Sequence, residues 1–148
     1  MKLNRREILG LGAAATVVAT FPTMALAANS ADSDAAIKAF TGGAAMGEGA
    51  VKLTTPEIAE NGNTVPVSVK VDSPMTAADH VRAIHVLAER NPIAHLLTFH
   101  LGPRAGVAKV STNIRLGASQ EVTALAEMSD GSFWRDRKNV VVTIAACI

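Results

Sequence analysis

The chain has 148 residues, 49% of them hydrophobic and 18% charged, with 14 basic against 13 acidic side chains and a formal net charge of +1. This length makes one ordinary domain with a single core. No basic patch interleaved with aromatics exists, so nucleic-acid binding has no electrostatic footprint, and a single cysteine, Cys147, excludes an internal disulfide.

Lys2, Arg5 and Arg6 give the chain a basic start. A weakly apolar run rich in Ala and Gly follows over residues 8–19, and Ala25-Leu26-Ala27 fits the small-x-small cleavage pattern. Residues 1–27 are therefore expected to be an export signal. Arg5-Arg6, followed by Glu7-Ile8-Leu9, is similar to a twin-arginine signal, which is read by a receptor and directs a protein to the periplasm. An ordinary secretory signal that carries two arginines is the alternative. The apolar run is short against the roughly 20 residues a bilayer needs, and Pro22 interrupts its far end, so no membrane anchor is expected. Cleavage after Ala27 leaves 121 residues and removes three basic groups and one acidic group, which takes the charge from +1 to −1.

Residues 30–40 are the best helical stretch. Ser30 or Ser33 can cap it, Asp32 and Asp34 suit its first turn, and Gly42-Gly43 stops it. A Gly/Ala-rich connection without clear period runs to Gly49, so residues 28–49 form the helix and its connection. Residues 50–144 are then expected to be a β-sandwich.

Val65, Val67, Val69 and Val71 alternate with polar neighbours as a half-buried strand, with Pro66 hinting at an edge. Residues 76–90 are ambiguous: local propensity leans to helix, while the strand-rich context pulls the part from Val81 toward strand. Asn91-Pro92 ends that stretch, and residues 94–101 read as a further strand. Val110, Thr112, Ile114 and Leu116 alternate with polar or charged neighbours, and Val122, Ala124, Ala126 and Met128 alternate with Glu121, Thr123, Leu125 and Glu127. Val140, Val142 and Ile144 close the chain after an Asp130-Gly131 hairpin signal. Short strands with turn signals every 8–12 residues or so indicate an antiparallel sandwich or barrel. Residues 145–148 are expected to be a mobile C-terminal arm.

His80 and His85 are five residues apart, as are His95 and His100. In one strand an odd spacing puts two side chains on opposite faces, so neither pair chelates one ion. Only a metal site formed between strands stays open, and with it an enzyme reading. Gly102-Pro103-Arg104-Ala105-Gly106 lacks the setting of a phosphate cradle and reads as a turn. Trp134 is either a buried core residue or an aromatic facing a partner.

Cys147 stands apart. Chain ends are mostly exposed, and an odd thiol on an exported protein suggests a partner disulfide or a reactive group. Its sequence neighbours activate it poorly: the terminal carboxylate is one residue away, and Arg135, Arg137 and Lys138 lie before the last strand. That suits an attachment point inserted into another protein's active site better than a nucleophile of its own. An arm over residues 145–148 extends roughly 13 Å at ~3.3 Å per residue, enough to enter a cleft while the body stays outside.

Ile58-Ala59-Glu60-Asn61-Gly62 with Val65-Pro66-Val67, Ser73-Pro74-Met75-Thr76, Asn91-Pro92, Val110-Ser111-Thr112 with Ile114-Arg115-Leu116, Met128-Ser129-Asp130-Gly131 and the closing Val140-Val141-Val142-Thr143-Ile144 together resemble the SoxY family. These are the sulfur-carrier subunits of the bacterial thiosulfate-oxidising Sox system. The resemblance covers nearly the whole chain after residue 27 and includes the leader. It implies an all-β, immunoglobulin-like antiparallel sandwich paired with a smaller SoxZ-like subunit that crosses the membrane folded on this leader. It implies a non-catalytic role without a cofactor. Cys147 would carry a covalently bound sulfur species, loaded by a haem-containing c-type cytochrome and processed by a hydrolase that releases sulfate. The best-known tails of the family read Gly-Gly-Cys-Gly-Gly; here Ala145, Ala146 and Ile148 surround the thiol, and a stiffer, bulkier arm is expected. A subunit of the same family that serves as a scaffold or carries another sulfur cargo is the alternative.

Overall fold

The computed structural model describes residues 30–147. The expected signal with Arg5 and Arg6, and the terminal Ile148, lie outside the described residues. The elements in chain order are α1 (Ser30–Thr41), β1 (Met46–Glu48), β2 (Val51–Thr54), β3 (Ile58–Asn61), β4 (Val65–Val71), β5 (Val81–Ala88), β6 (His95–His100), β7 (Lys109–Ile114), β8 (Gln120–Met128) and β9 (Phe133–Ile144). The expected all-β sandwich is what forms. The larger sheet runs β1-β9-β8-β5-β6, with β3 also paired to β9; the smaller runs β2-β4-β7.

The valine alternation of β4 explains the inner core. Val65, Val67, Val69 and Val71 are all buried and pack with Val51 and Leu53 of β2. From the larger sheet they meet Ile84 and Val86 of β5, Val122, Ala124 and Ala126 of β8, and Val140 of β9. Fully burying a valine or isoleucine side chain contributes about 1.5–3 kcal/mol relative to leaving it exposed, so this interleaved layer is the main source of cohesion.

A second layer lies on the other side of the larger sheet. Ile37 of α1 packs on Leu87 and Leu125, with Phe40, Met46 and Phe133 around them. Leu125, in the row that alternates with the inner residues of β8, is fully buried, and Thr123 beside it is only 6% exposed. The alternation of β8 is real, but a helix covers the face that would otherwise meet water. Gly42 and Gly43 end α1 with positive φ values of 63° and 85°, a region open to glycine at no steric cost. Ser33 lies inside the helix and is buried, not at its start.

The ambiguous stretch resolves at Val81. Thr76 and Asp79 form a turn, with the Asp79 amide donating to the Thr76 hydroxyl at 3.0 Å, and β5 begins two residues later. Tertiary pairing with β6 and β8 on both sides overrides the local helical leaning. Pro66 lies in the central strand of the small sheet, not an edge strand. It is tolerated because β2 ends at Thr54 opposite Ser68, so beyond that point β4 has β7 alone as a partner.

The three shortest strands form where no period was legible. β1 and β3 each lie parallel to β9, at its start and its end, with Gly47 opposite Trp134 and Asn61 opposite Ile144. A Cβ at Gly47 would collide with the Trp134 ring, so the close approach of β1 needs glycine there. Trp134 is half-buried, packs against the core and donates to the Ser132 hydroxyl at 3.3 Å, which favours its core role. Asp136 links the sheets: its Oδ2 accepts the Leu53 amide of β2 at 2.8 Å.

Candidate functional site

The site is built at the far end of β9. Its last four residues leave β8 behind, because the ladder between these strands ends at Gln120 opposite Val140. Beyond that point β3 holds one side of β9, and Ser119 holds the other. The Ser119 hydroxyl accepts the Val142 amide at 2.9 Å and donates to the Val142 carbonyl at 3.4 Å.

Three backbone segments then close over the strand end. The Gly62 amide donates to the Ile144 carbonyl at 2.7 Å, the Leu116 amide to the Gly62 carbonyl at 2.8 Å, and the Ala146 amide to the Leu116 carbonyl at 3.1 Å. Gly62 is enclosed at the centre of this clasp. A Cβ there would overlap the Leu116 carbonyl oxygen and lie 2.8 Å from the Ala146 nitrogen. Leu116 is fully buried.

The loop that carries Leu116 is fixed by two buried amides. The Asn91 side chain donates to the Arg115 carbonyl at 2.8 Å and accepts the Gly117 amide at 3.1 Å. Its oxygen also accepts the Gln120 side-chain NH2 at 2.8 Å, while Gln120 Oε1 accepts the Arg90 amide at 2.7 Å. Satisfied buried networks of this kind rigidify a loop.

The C-terminal residues therefore differ among themselves. Ala145 is exposed, Ala146 is 8% exposed and hydrogen-bonded, and Cys147 is exposed as a free thiol. The expected arm over residues 145–148 is held as far as Ala146, so the thiol stands one residue beyond the last tertiary contact. Exposed apolar side chains flank this end: Ile58 pairs in register with Val141, and Ile144 is 64% exposed.

The residues from 37 to 147 match the family model described as sulfur oxidation protein SoxY. The chain belongs to the SoxY family. The SoxY match spans every element from the middle of α1 to the exposed thiol. Among solved structures, the chain is similar to the sulfur carrier protein SoxY from Chlorobium limicola f thiosulfatophilum. The TM-score is 0.65 at 28% identity, covering 78% of this chain and 100% of that one. A superoxide reductase (neelaredoxin) from Ignicoccus hospitalis aligns with a TM-score of 0.56 at 24% identity, covering 62% of this chain and 78% of that one. The superoxide reductase from Nanoarchaeum equitans gives 0.54 at 10% identity, covering 64% and 99%. At these identities the likeness to the reductases is one of fold alone. No curated protein sequence matches the chain.

The histidines sort differently from their sequence spacing. His85 of β5 and His95 of β6 meet across strands on the outer face, where Phe40 of α1 stacks on His85 with ring centroids 4.1 Å apart. Both imidazoles bond one hydroxyl: Thr98 Oγ1 lies 2.8 Å from His85 Nδ1 and 2.9 Å from His95 Nε2. Burial, reinforced by His95 and His100, pushes the His85 pKa down to about 4. His80 instead contacts the Thr76 carbonyl at 3.1 Å. Among the described residues, no group of three or more His, Cys, Asp or Glu side chains is placed to hold a metal ion. Gly102–Gly106 forms a short turn around a 3-10 segment at Pro103–Ala105.

Sequence reasoning missed Gly62, Leu116, Asn91 and Gln120 as parts of the site. Asn61-Gly62 carried a turn signal, and Asn61 does accept the Asn63 amide at 2.9 Å, but the enclosure of Gly62 comes from distant backbone.

Proposed function

We propose that this chain is a periplasmic sulfur carrier of thiosulfate oxidation, with the cargo held covalently on Cys147 and processed by other enzymes. Membership of the SoxY family supports the carrier role. The single observation that carries the assignment to Cys147 is that the chain's one thiol is exposed and stands just outside the last hydrogen bond of the fold. A thiol in that position can enter a foreign cleft while the sandwich stays outside.

The chemistry then belongs to the partners. Joining Cys147 Sγ to the outer sulfur of thiosulfate forms an S–S bond. The thiol proton goes to solvent and an electron pair to a haem-containing c-type cytochrome. A hydrolase next adds water to the sulfonate sulfur and breaks its bond to the bridging sulfur, releasing sulfate and a proton and leaving a persulfide on Cys147. The protein supplies the tether and the docking surface and no catalytic group. A SoxZ-like subunit is the expected companion, and export through Arg5 and Arg6 by the twin-arginine route would place the pair in the periplasm. Among the described residues no helix is long and apolar enough to cross a membrane.

Intact-mass measurement of the protein from thiosulfate-grown cells tests the proposal. Thiosulfonate or sulfane adducts are expected, and they vanish in Cys147→Ser. An unmodified thiol under those conditions overturns it. A second reading, a scaffold subunit whose thiol carries no thiosulfate, is favoured by one observation: alanines replace the glycines expected beside the thiol, and one of them is docked. The same measurement separates the two.

A further inference from the structure

The clasp at the end of β9 has an uneven build. The Ile144–Gly62 bond continues a paired strand and is the shortest of the three, at 2.7 Å. The Ala146–Leu116 bond is the longest, at 3.1 Å, and is the last backbone hydrogen bond before the thiol among the described residues. Between them Ala145 is exposed, and Ile144 is 64% exposed, so no large apolar side chain secures this stretch. One hydrogen bond and one buried methyl, that of Ala146, hold the arm root down.

We propose that Gly62 and Leu116 position the carrier thiol by setting the working length of its arm. With the clasp closed, Cys147 lies one residue past a fixed point and reaches about 3–4 Å; with the Ala146–Leu116 bond open, it lies three residues past Ile144 and reaches about 10 Å. This inference rests on the carrier reading. Release of a single terminal hydrogen bond is a low-energy local opening that leaves the fold intact. Partner catalytic sites of different depth can therefore be served by one arm. Docking of the Ala146 methyl also accounts for alanine at this position where a freely moving arm would carry glycine. Gly62 is the enabling residue, because any side chain there displaces both the Leu116 carbonyl and the Ala146 amide.

The test uses the exported protein without cargo. Amide hydrogen exchange at Ala146 is followed by NMR, and arm motion by a nitroxide on Cys147, the sole cysteine. The Ala146 amide is expected to exchange at least about tenfold more slowly than in an unstructured chain. Gly62→Ala abolishes that protection and narrows the nitroxide spectrum, while Val86 and Leu125 amides keep their rates. If Gly62→Ala fails to fold, Ala146→Pro removes the same donor with Gly62 untouched and gives the same narrowing. An unprotected Ala146 amide in the unaltered protein, or an unchanged nitroxide spectrum in folded Ala146→Pro, overturns the inference. Failure of the carrier reading would show instead as absent adducts on Cys147, with the clasp intact.

Discussion

The buried imidazole of His85 makes the smallest-scale prediction. In the folded chain it titrates near 4, against 6.5 when free, because burial disfavours its charge and His95 and His100 face it. Around it stand Phe40 of α1 as a ring contact, Leu125 of β8 in register, and His95 and the Thr98 hydroxyl of β6. The unfolded chain therefore binds the proton first as pH falls, and folding must give it up. The contribution of His85 to stability is expected to be constant above pH ~6.5, to decline by up to about 3 kcal/mol between there and pH ~4, and to change no further below. Urea unfolding followed across that range checks it, and His85→Leu should flatten the profile. Spacing along one strand could not show this pair, since a sheet joins residues across strands. The exposure of the Cys147 thiol, by contrast, was legible from its position alone. Gly62, Leu116 and Ala146 were not, because backbone hydrogen bonds between distant segments leave no pattern of side-chain types.

Among the elements, α1 shows how one helix changes the reading of a whole sheet. Ile37 is 7% exposed and touches Leu87 and Leu125, both fully buried. Ile37→Ala is expected to cost about 2–3 kcal/mol, the lower end for an aliphatic truncation, since the contact involves one helix on one sheet face. A lowered midpoint in urea with an unchanged slope would record it. The alternating strands β4 and β7 were legible because half-burial imprints a period of two, and β8 kept an alternating row although both its faces are covered. β1, β2 and β3 were not: three or four residues hold too few repeats, and two of them are strands only by virtue of lying beside β9. Residues 76–90 show the converse, with a helical local pattern that pairing on both edges of β5 turns into strand from Val81.

For the whole molecule, the proposed route out of the cell makes its own demand. A twin-arginine signal is recognised as an address, so Arg5→Lys with Arg6→Lys is expected to abolish the processed periplasmic form and leave precursor inside; fractionation and blotting would show it. The sheet gives this a kinetic side. Among the described residues β9 joins β1 and β3 to β8, and it is the last strand in the chain order. While synthesis continues, the larger sheet lacks its spine, and the clasp has nothing to close on. Loss of β9 would therefore unpair β1 and β3 and strip β8 of one neighbour, taking the sheet's spine and the clasp together.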